Sequence, residues 1–111
     1  MKFKDCFIDN KGNIWKVATL IKYSKELPIF LFNITQISLE EIIKWQIINL
    51  RDFVNHFSRI NTADLSIPIL LRSDGYCMNG WHRIIKALVL EMTHLPAKKF
   101  KLDPEPDFRI D

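Results

Sequence analysis

The sequence predicts an α+β domain, a small mixed β-sheet flanked by about four helices, and three observations carry that prediction. First, 111 residues at 48% hydrophobic and 26% charged suit one core, because chains of this size bury most of a single core and seldom hold two. Second, short β-rich runs bounded by turn residues alternate with runs whose apolar residues recur at helical spacing. Third, no internal repeat, low-complexity tract or interior linker divides the chain. The expected organisation is one domain over residues 1–102 and an acidic, proline-containing tail over 103–111.

Phe3 to Ile8 and Asn13 to Trp15 flank Asp9-Asn10-Lys11-Gly12, a turn signal with a glycine for positive φ, so the chain opens with a hairpin. From Lys16 to Glu26, Val17, Leu20, Ile21 and Ser24 recur at helical spacing, and Leu27-Pro28 ends that first helix. Ile29 to Phe32 is continuously apolar with two aromatics, which predicts a strand covered on both faces at the sheet centre. Ser38 and Glu41 have capping-box spacing and predict the start of a second helix. The periodic residues Ile43, Ile47, Leu50, Phe53, Val54 and Phe57 could carry it to Ile60, but Asn49 with Asp52 three residues on reads as a fresh N-cap, so the expectation is two helices broken near Asn49.

Ile67 to Arg72, the turn Ser73-Asp74-Gly75 and Tyr76 to Met78 make a second hairpin. Trp81, Ile84, Ile85, Leu88 and Met92 form one apolar stripe and predict a helix from Trp81 to Met92. Beyond Pro96, Phe100 and Leu102 alternate with Lys99 and Lys101, as in a half-exposed last strand. The nine residues from Asp103, with Pro104 and Pro106, read as an extended terminus.

The longest unbroken apolar stretches, such as Ile29 to Phe32 and Ala87 to Leu90, have four residues, against roughly twenty for a membrane-spanning helix. The first residues carry Asp5, Asp9 and Asn10 where an export signal needs an apolar run, which points to a cytoplasmic protein without membrane partners. Cys6 and Cys77 alone are too few for a disulfide scaffold and are expected as free thiols. The net charge is +3; the segment from Asp103 holds four acids and one arginine, so the preceding residues carry 15 bases and 9 acids, or +6. That balance favours acidic partners such as phosphates without supporting a nucleic-acid claim by itself.

Two of the three glycines, Gly75 and Gly80, bracket the short strand before the Trp81 helix. Gly80 permits a sharp turn and exposes the helix's first amides, which lack intrahelical partners and carry the positive end of its dipole. His82, Arg83 and Lys86 lie off the apolar stripe and face the same way. Amides, a forked guanidinium and an imidazole titrating near neutrality suit a phosphate or another oxyanion. The competing reading is purely structural: Asn79 caps the helix, His82 bonds a neighbouring carbonyl and Arg83 pairs with a surface acid.

Pro68-Ile69-Leu70-Leu71, the turn Asp74-Gly75, then Met78-Asn79-Gly80-Trp81-His82-Arg83 and Ala87 resemble the strand-turn-strand-helix signature of the ParB/sulfiredoxin superfamily. The similarity is closest to small stand-alone ParB-like members and extends back through His56, Arg59, Ala63, Asp64 and Leu65. It implies a ParB/sulfiredoxin-like fold and a nucleotide-phosphate pocket at Asn79, Gly80, Trp81, His82, Arg83 and Lys86, with His56, Arg59 and Asp64 as secondary members. It also implies His82 as the candidate acid, a nucleoside triphosphate with magnesium as the candidate cofactor, and nucleotide-dependent phosphoryl transfer or NTP hydrolysis as the candidate reaction.

Departures narrow that choice. Sulfiredoxin chemistry needs a cysteine immediately before the His-Arg pair, and Trp81 stands there, so the reductase reading fails. Cys77, on the preceding strand, reads as a small apolar side chain. Only 28 residues follow Arg83, too few for a helix-turn-helix beside the last helix, strand and tail, which disfavours sequence-specific DNA binding. Asn79 stands where many members have Asp, which leaves metal-assisted or base-catalysed steps without a partner for the histidine.

His56 and Arg59 share one helix face and either complete the pocket or form a solvated helix end with Asp64 as a cap. The three histidines and two cysteines show no zinc-ligand spacing, so no metal site is expected. No Gly-x-x-x-x-Gly-Lys loop and no nucleophile elbow is present. Lys98, Lys99 and Lys101 around Phe100 fit a single-strand nucleic-acid contact or, in preference, the protection of an exposed sheet edge. Trp45 is either core or a partner contact. The leading expectation is a nucleotide or other phosphorylated ligand held at Asn79–Arg83. The alternative is a non-enzymatic regulatory or interaction module binding DNA or protein; nucleic-acid cleavage ranks last for want of a carboxylate cluster.

Overall fold

The computed structural model describes residues 5–37 and 48–110, and shows an α+β fold of two sheets and three α-helices. In chain order the elements are β1 (Cys6–Ile8), β2 (Asn13–Lys16), α1 (Val17–Ser24), β3 (Phe30–Asn33), a 3-10 turn (Ile34–Gln36), α2 (Leu50–Thr62), β4 (Ile69–Leu71), β5 (Cys77–Asn79), α3 (Trp81–Val89), β6 (His94–Lys99) and β7 (Phe108–Arg109). The smaller sheet runs β1-β2-β7, all antiparallel, and the larger runs β3-β6-β4-β5. In the larger sheet β4 and β6 are parallel and the other pairs antiparallel. The parallel pair exists because the β5 hairpin and α3 provide the crossover between β4 and β6.

Strand periodicity divides the interior into two cores on opposite faces of the larger sheet. Ile69, Leu71, Cys77, Leu95 and Ala97 turn toward α3 and meet Ile84 and Ala87. Leu70 and Met78, one residue out of phase, turn the other way onto Phe7, Trp15, Leu20 and Phe100. All three residues of β4 are therefore buried, and β5, built on it, is fixed from both sides.

Several expectations are corrected here. Ile29–Phe32 was expected at the sheet centre, but β3 occupies an end of the order and its Leu31 is 73% exposed. Four apolar residues in a row specify a strand, not its neighbours. The interior position next to it belongs to β6, expected as a half-exposed last strand, so Lys98 and Lys99 do not guard a free edge. The Lys98 ammonium instead donates to the carbonyls of Ser24 and Lys25 at the end of α1 (3.2 and 3.5 Å). Leu102, expected in that strand, lies outside it and is 88% exposed.

The helix from Trp81 stops at Val89 rather than Met92. Glu91 adopts a left-handed φ of 60°, and the amides of Glu91 and Met92 return to the carbonyls of Leu88 and Ala87. That Schellman closure ends the helix with a residue usually glycine. The N-cap expected at Asn49 is present: its side chain accepts from the Asp52 amide (2.9 Å), and the Asp52 carboxylate accepts from the Ile48 amide (3.1 Å). From that cap α2 runs to Thr62, two residues past Ile60. The helix expected from Ser38 and Glu41, with Ile43, Trp45 and Ile47, lies outside the described residues.

The acidic segment is tied down by its own groups. Asp107 accepts from Lys16 N and Thr19 Oγ1, Pro104 O accepts from the Trp15 indole, and Asp103 accepts twice from Ser73. β7 then pairs with β2. Among the described residues no helix is long and apolar enough to cross a membrane.

Candidate functional site

Gly80, the N-cap residue of α3, has φ +127° and lies buried against Ile69. A Cβ at this position would overlap the Ile69 side chain, 2.8 Å from its Cβ. Close packing and a backbone conformation forbidden to most residues both require glycine. Gly80, not Asn79, thus occupies the cap position, and no side chain caps the helix. The first amides of α3 keep the positive end of its dipole without an internal acceptor.

The residues that follow point in two directions. Trp81 packs on the α3-side core and meets Tyr76 edge-on at 6.4 Å. There it helps line a groove of about 410 Å³ with Phe32, Gln36, Asp74, Tyr76 and Cys77. His82, Arg83 and Lys86 do not line that groove; His82 and Lys86 meet α2, and Arg83 meets the segment before β4.

Two of these three cations are already engaged with backbone. Arg83 Nη1 donates to the carbonyls of Ile67 and Pro68, both at 2.8 Å, pinning the segment before β4 to the start of α3. Among the described residues no fully buried side-chain nitrogen lacks a partner, so Arg83 Nε and Nη2, which make no protein hydrogen bond, reach solvent. Lys86 Nζ donates to the carbonyls of Asn61 and Ala63 (2.9 and 2.8 Å), where the end of α2 leaves acceptors unsatisfied and its dipole is negative.

His82 meets His56 across the two helices: Nε2 of the former lies 3.0 Å from Nδ1 of the latter, with the rings stacked at 5.3 Å and 17°. One ring supplies the proton and the other the lone pair. Burial, and then the positive charges of Arg59, His56 and Arg83, hold His82 down to about 4. His56 is lowered too, by burial and Arg59, with Asp52 opposing. Both rings are therefore neutral at pH 7, and His82 serves as a polar group there rather than the cation its residue type suggested.

Asp64 stands at the margin, exposed. Its carboxylate accepts from the amide and hydroxyl of Ser66 (3.0 and 2.6 Å), and those bonds, with smaller help from Lys86 and Arg83, lower its pKa. Thus His56, Arg59, His82, Arg83 and Lys86 gather where α2 crosses α3, Asp64 is within their field, and Trp81 faces elsewhere. The residue types were legible in the sequence, but the committed hydrogen bonds of Arg83 and Lys86 and the direct imidazole pair were not. Nor was the Trp81 groove, for which Tyr76 and Trp81, at the two ends of β5, were the available signal.

Cys77 is buried and its thiol is pushed up to about 12 by desolvation, with no nucleophilic character at neutral pH. Among the described residues no three His, Cys, Asp or Glu side chains gather in a way that could hold a metal ion. The chain matches no protein-family model, no curated protein and no solved structure.

Proposed function

We propose that this protein binds a nucleotide or another phosphorylated ligand at Asn79–Arg83, where β5 passes into α3, with Arg59 approaching from α2. One observation carries the reading: Arg83 leaves Nε and Nη2 to solvent beside a helix start that no side chain caps, and the charge of Arg59 on α2 reaches the same His82. An anion placed there would meet helix amides, Nε and Nη2 of Arg83, and the field of Arg59. The resemblance of Pro68–Ala87 to the ParB/sulfiredoxin signature supports the same corner. His82 would act first as a neutral donor, and a bound dianion would draw its pKa upward. Asn79 and Gly80 shape the turn; Lys86 and His56 hold α2 in place, and Asp64 limits the positive field.

Calorimetric titration with a panel of nucleoside triphosphates, with and without magnesium, and with inorganic phosphate tests this. Arg59 is exposed, so Arg59→Gln removes its charge without disturbing the core and should weaken binding about tenfold, the worth of one charge-assisted contact. No binding by the wild type, or equal binding by the variant, overturns the reading.

One observation favours the non-enzymatic alternative with a protein partner: Leu50, Phe53, Val54 and Phe57 of α2 are exposed, with Phe53 and Phe57 stacked at 6.3 Å. That reading predicts a melting temperature indifferent to nucleotide; binding to duplex DNA that weakens steeply with salt would mark its DNA form instead.

A further inference from the structure

Helix α2 has no buried residue. Among the described residues its side-chain hydrogen bonds to α3 are the His56–His82 bond at 3.0 Å and the two Lys86 bonds to the Asn61 and Ala63 carbonyls. An imidazole pair is a particular kind of fastening. As two neutral rings it shares one proton in one hydrogen bond. A first added proton keeps that bond but places a cation between Arg59 on α2 and Arg83 on α3. A second turns both facing nitrogens into donors, and the bond is lost. Among the described residues the charged groups that act on the pair are Arg59 and Asp52 from α2 and Arg83 from α3. The two guanidiniums oppose protonation, and the Asp52 carboxylate does not offset them.

We propose that the His56–His82 pair is an acid-released clasp, which fastens α2 to the start of α3 at neutral pH and lets the helices part in acid, uncovering the cationic face of α3 while the sheet stays folded. The clasp acts in the ligand-free protein, where no anion offsets the charges of Arg59 and Arg83 on the pair. Its direction follows from linkage. Each imidazole is harder to protonate when the helices are closed than when they are apart, so the open state binds more protons and gains as pH falls below about 6.5. With His82 at about 4 in the closed state, going from pH 7 to pH 5 multiplies the open-to-closed ratio roughly twentyfold through this histidine alone. No residue of α2 belongs to either core, so the larger sheet keeps its own packing when α2 parts.

Amide hydrogen exchange of the whole protein at pH 7 and pH 5, corrected for intrinsic exchange rates, reads this out. The wild type should lose protection across Leu50–Thr62 by about the twentyfold factor, with β4 and β6 unchanged. The double variant His56→Asn with His82→Gln places amide groups where the ring nitrogens meet and cannot titrate; it should keep α2 equally protected at both pH values. Unchanged α2 protection in the wild type, or equal acid opening in the double variant, overturns the proposal. Should the variant not fold, nitrogen-detected titration of the wild-type imidazoles decides it: both rings titrating near 6.5 overturns the clasp, and depressed values with loss of α2 signals at the same pH support it.

Discussion

Helices α2 and α3 bring charged residues to the same corner but are held in different ways. α3 buries Ile84 and Ala87 in a core shared with β4, β5 and β6, and its first residue is locked by Gly80 against Ile69. α2 begins at a well-made cap, has no fully buried residue, and turns Leu50, Phe53, Val54 and Phe57 to solvent. Its attachment is by hydrogen bonds to Lys86 and His82. Burial fixes position, because a packed core resists displacement by even a methyl group. Polar attachment leaves position open to charge and pH. A site made half from each kind of element has a rigid wall and a responsive one.

The largest effect that would break this contrast is at the rigid wall. Gly80→Ala combines a strained φ with overlap onto Ile69 and should cost about 4 kcal/mol in urea unfolding. Gly75→Ala, at φ +91° but with open space around it, should cost about 1 kcal/mol, from backbone strain alone. Equal losses would mean that the Ile69 contact is not what demands glycine. Next, Ile84→Ala should cost about 3 kcal/mol and Val54→Ala less than about 0.5 kcal/mol, measured by the same midpoint shift. A comparable loss at Val54 would show that α2 is held by apolar packing after all.

The sequence spoke clearly wherever the deciding interaction is local. Asn49 and Asp52 are three residues apart and cap α2 as their spacing predicts; the Trp81 stripe predicts α3, and Asp74-Gly75 places the β4–β5 turn. It was mute where the decision lies between distant segments. Ile29–Phe32 reads as a central strand because its own residues are apolar, yet β6, with Pro96 and two lysines, takes the interior place, since α3 delivers it beside β4. The acidic segment looked extended because its prolines and charges lack local partners; its partners are Trp15, Lys16 and Ser73, far back in the chain. His56 and His82 are 26 residues apart, so no spacing could announce their bond. Glu91 has no glycine-like signal, and a helix stripe that continues to Met92 concealed the stop.

That stop offers a smaller test on the rigid side. Glu91→Gly relieves a left-handed φ and should raise stability by about 1 kcal/mol; a decrease would mean that the Glu91 side chain contributes more than its backbone costs. On the responsive side, Asn49→Ala removes the cap of α2 and should cost about 1 kcal/mol of local helix stability, visible as faster exchange in α2 with little change in the global midpoint.

The proposed corner would hold a phosphoryl anion beside His82. The most direct measurement is the imidazole titration of His82 with and without saturating nucleoside triphosphate. Ligand should move the His82 midpoint from about 4 toward or above the ordinary histidine value, because a bound dianion reverses the field of Arg59 and Arg83. A midpoint that stays put while the ligand demonstrably binds would place the anion elsewhere and contradict the account.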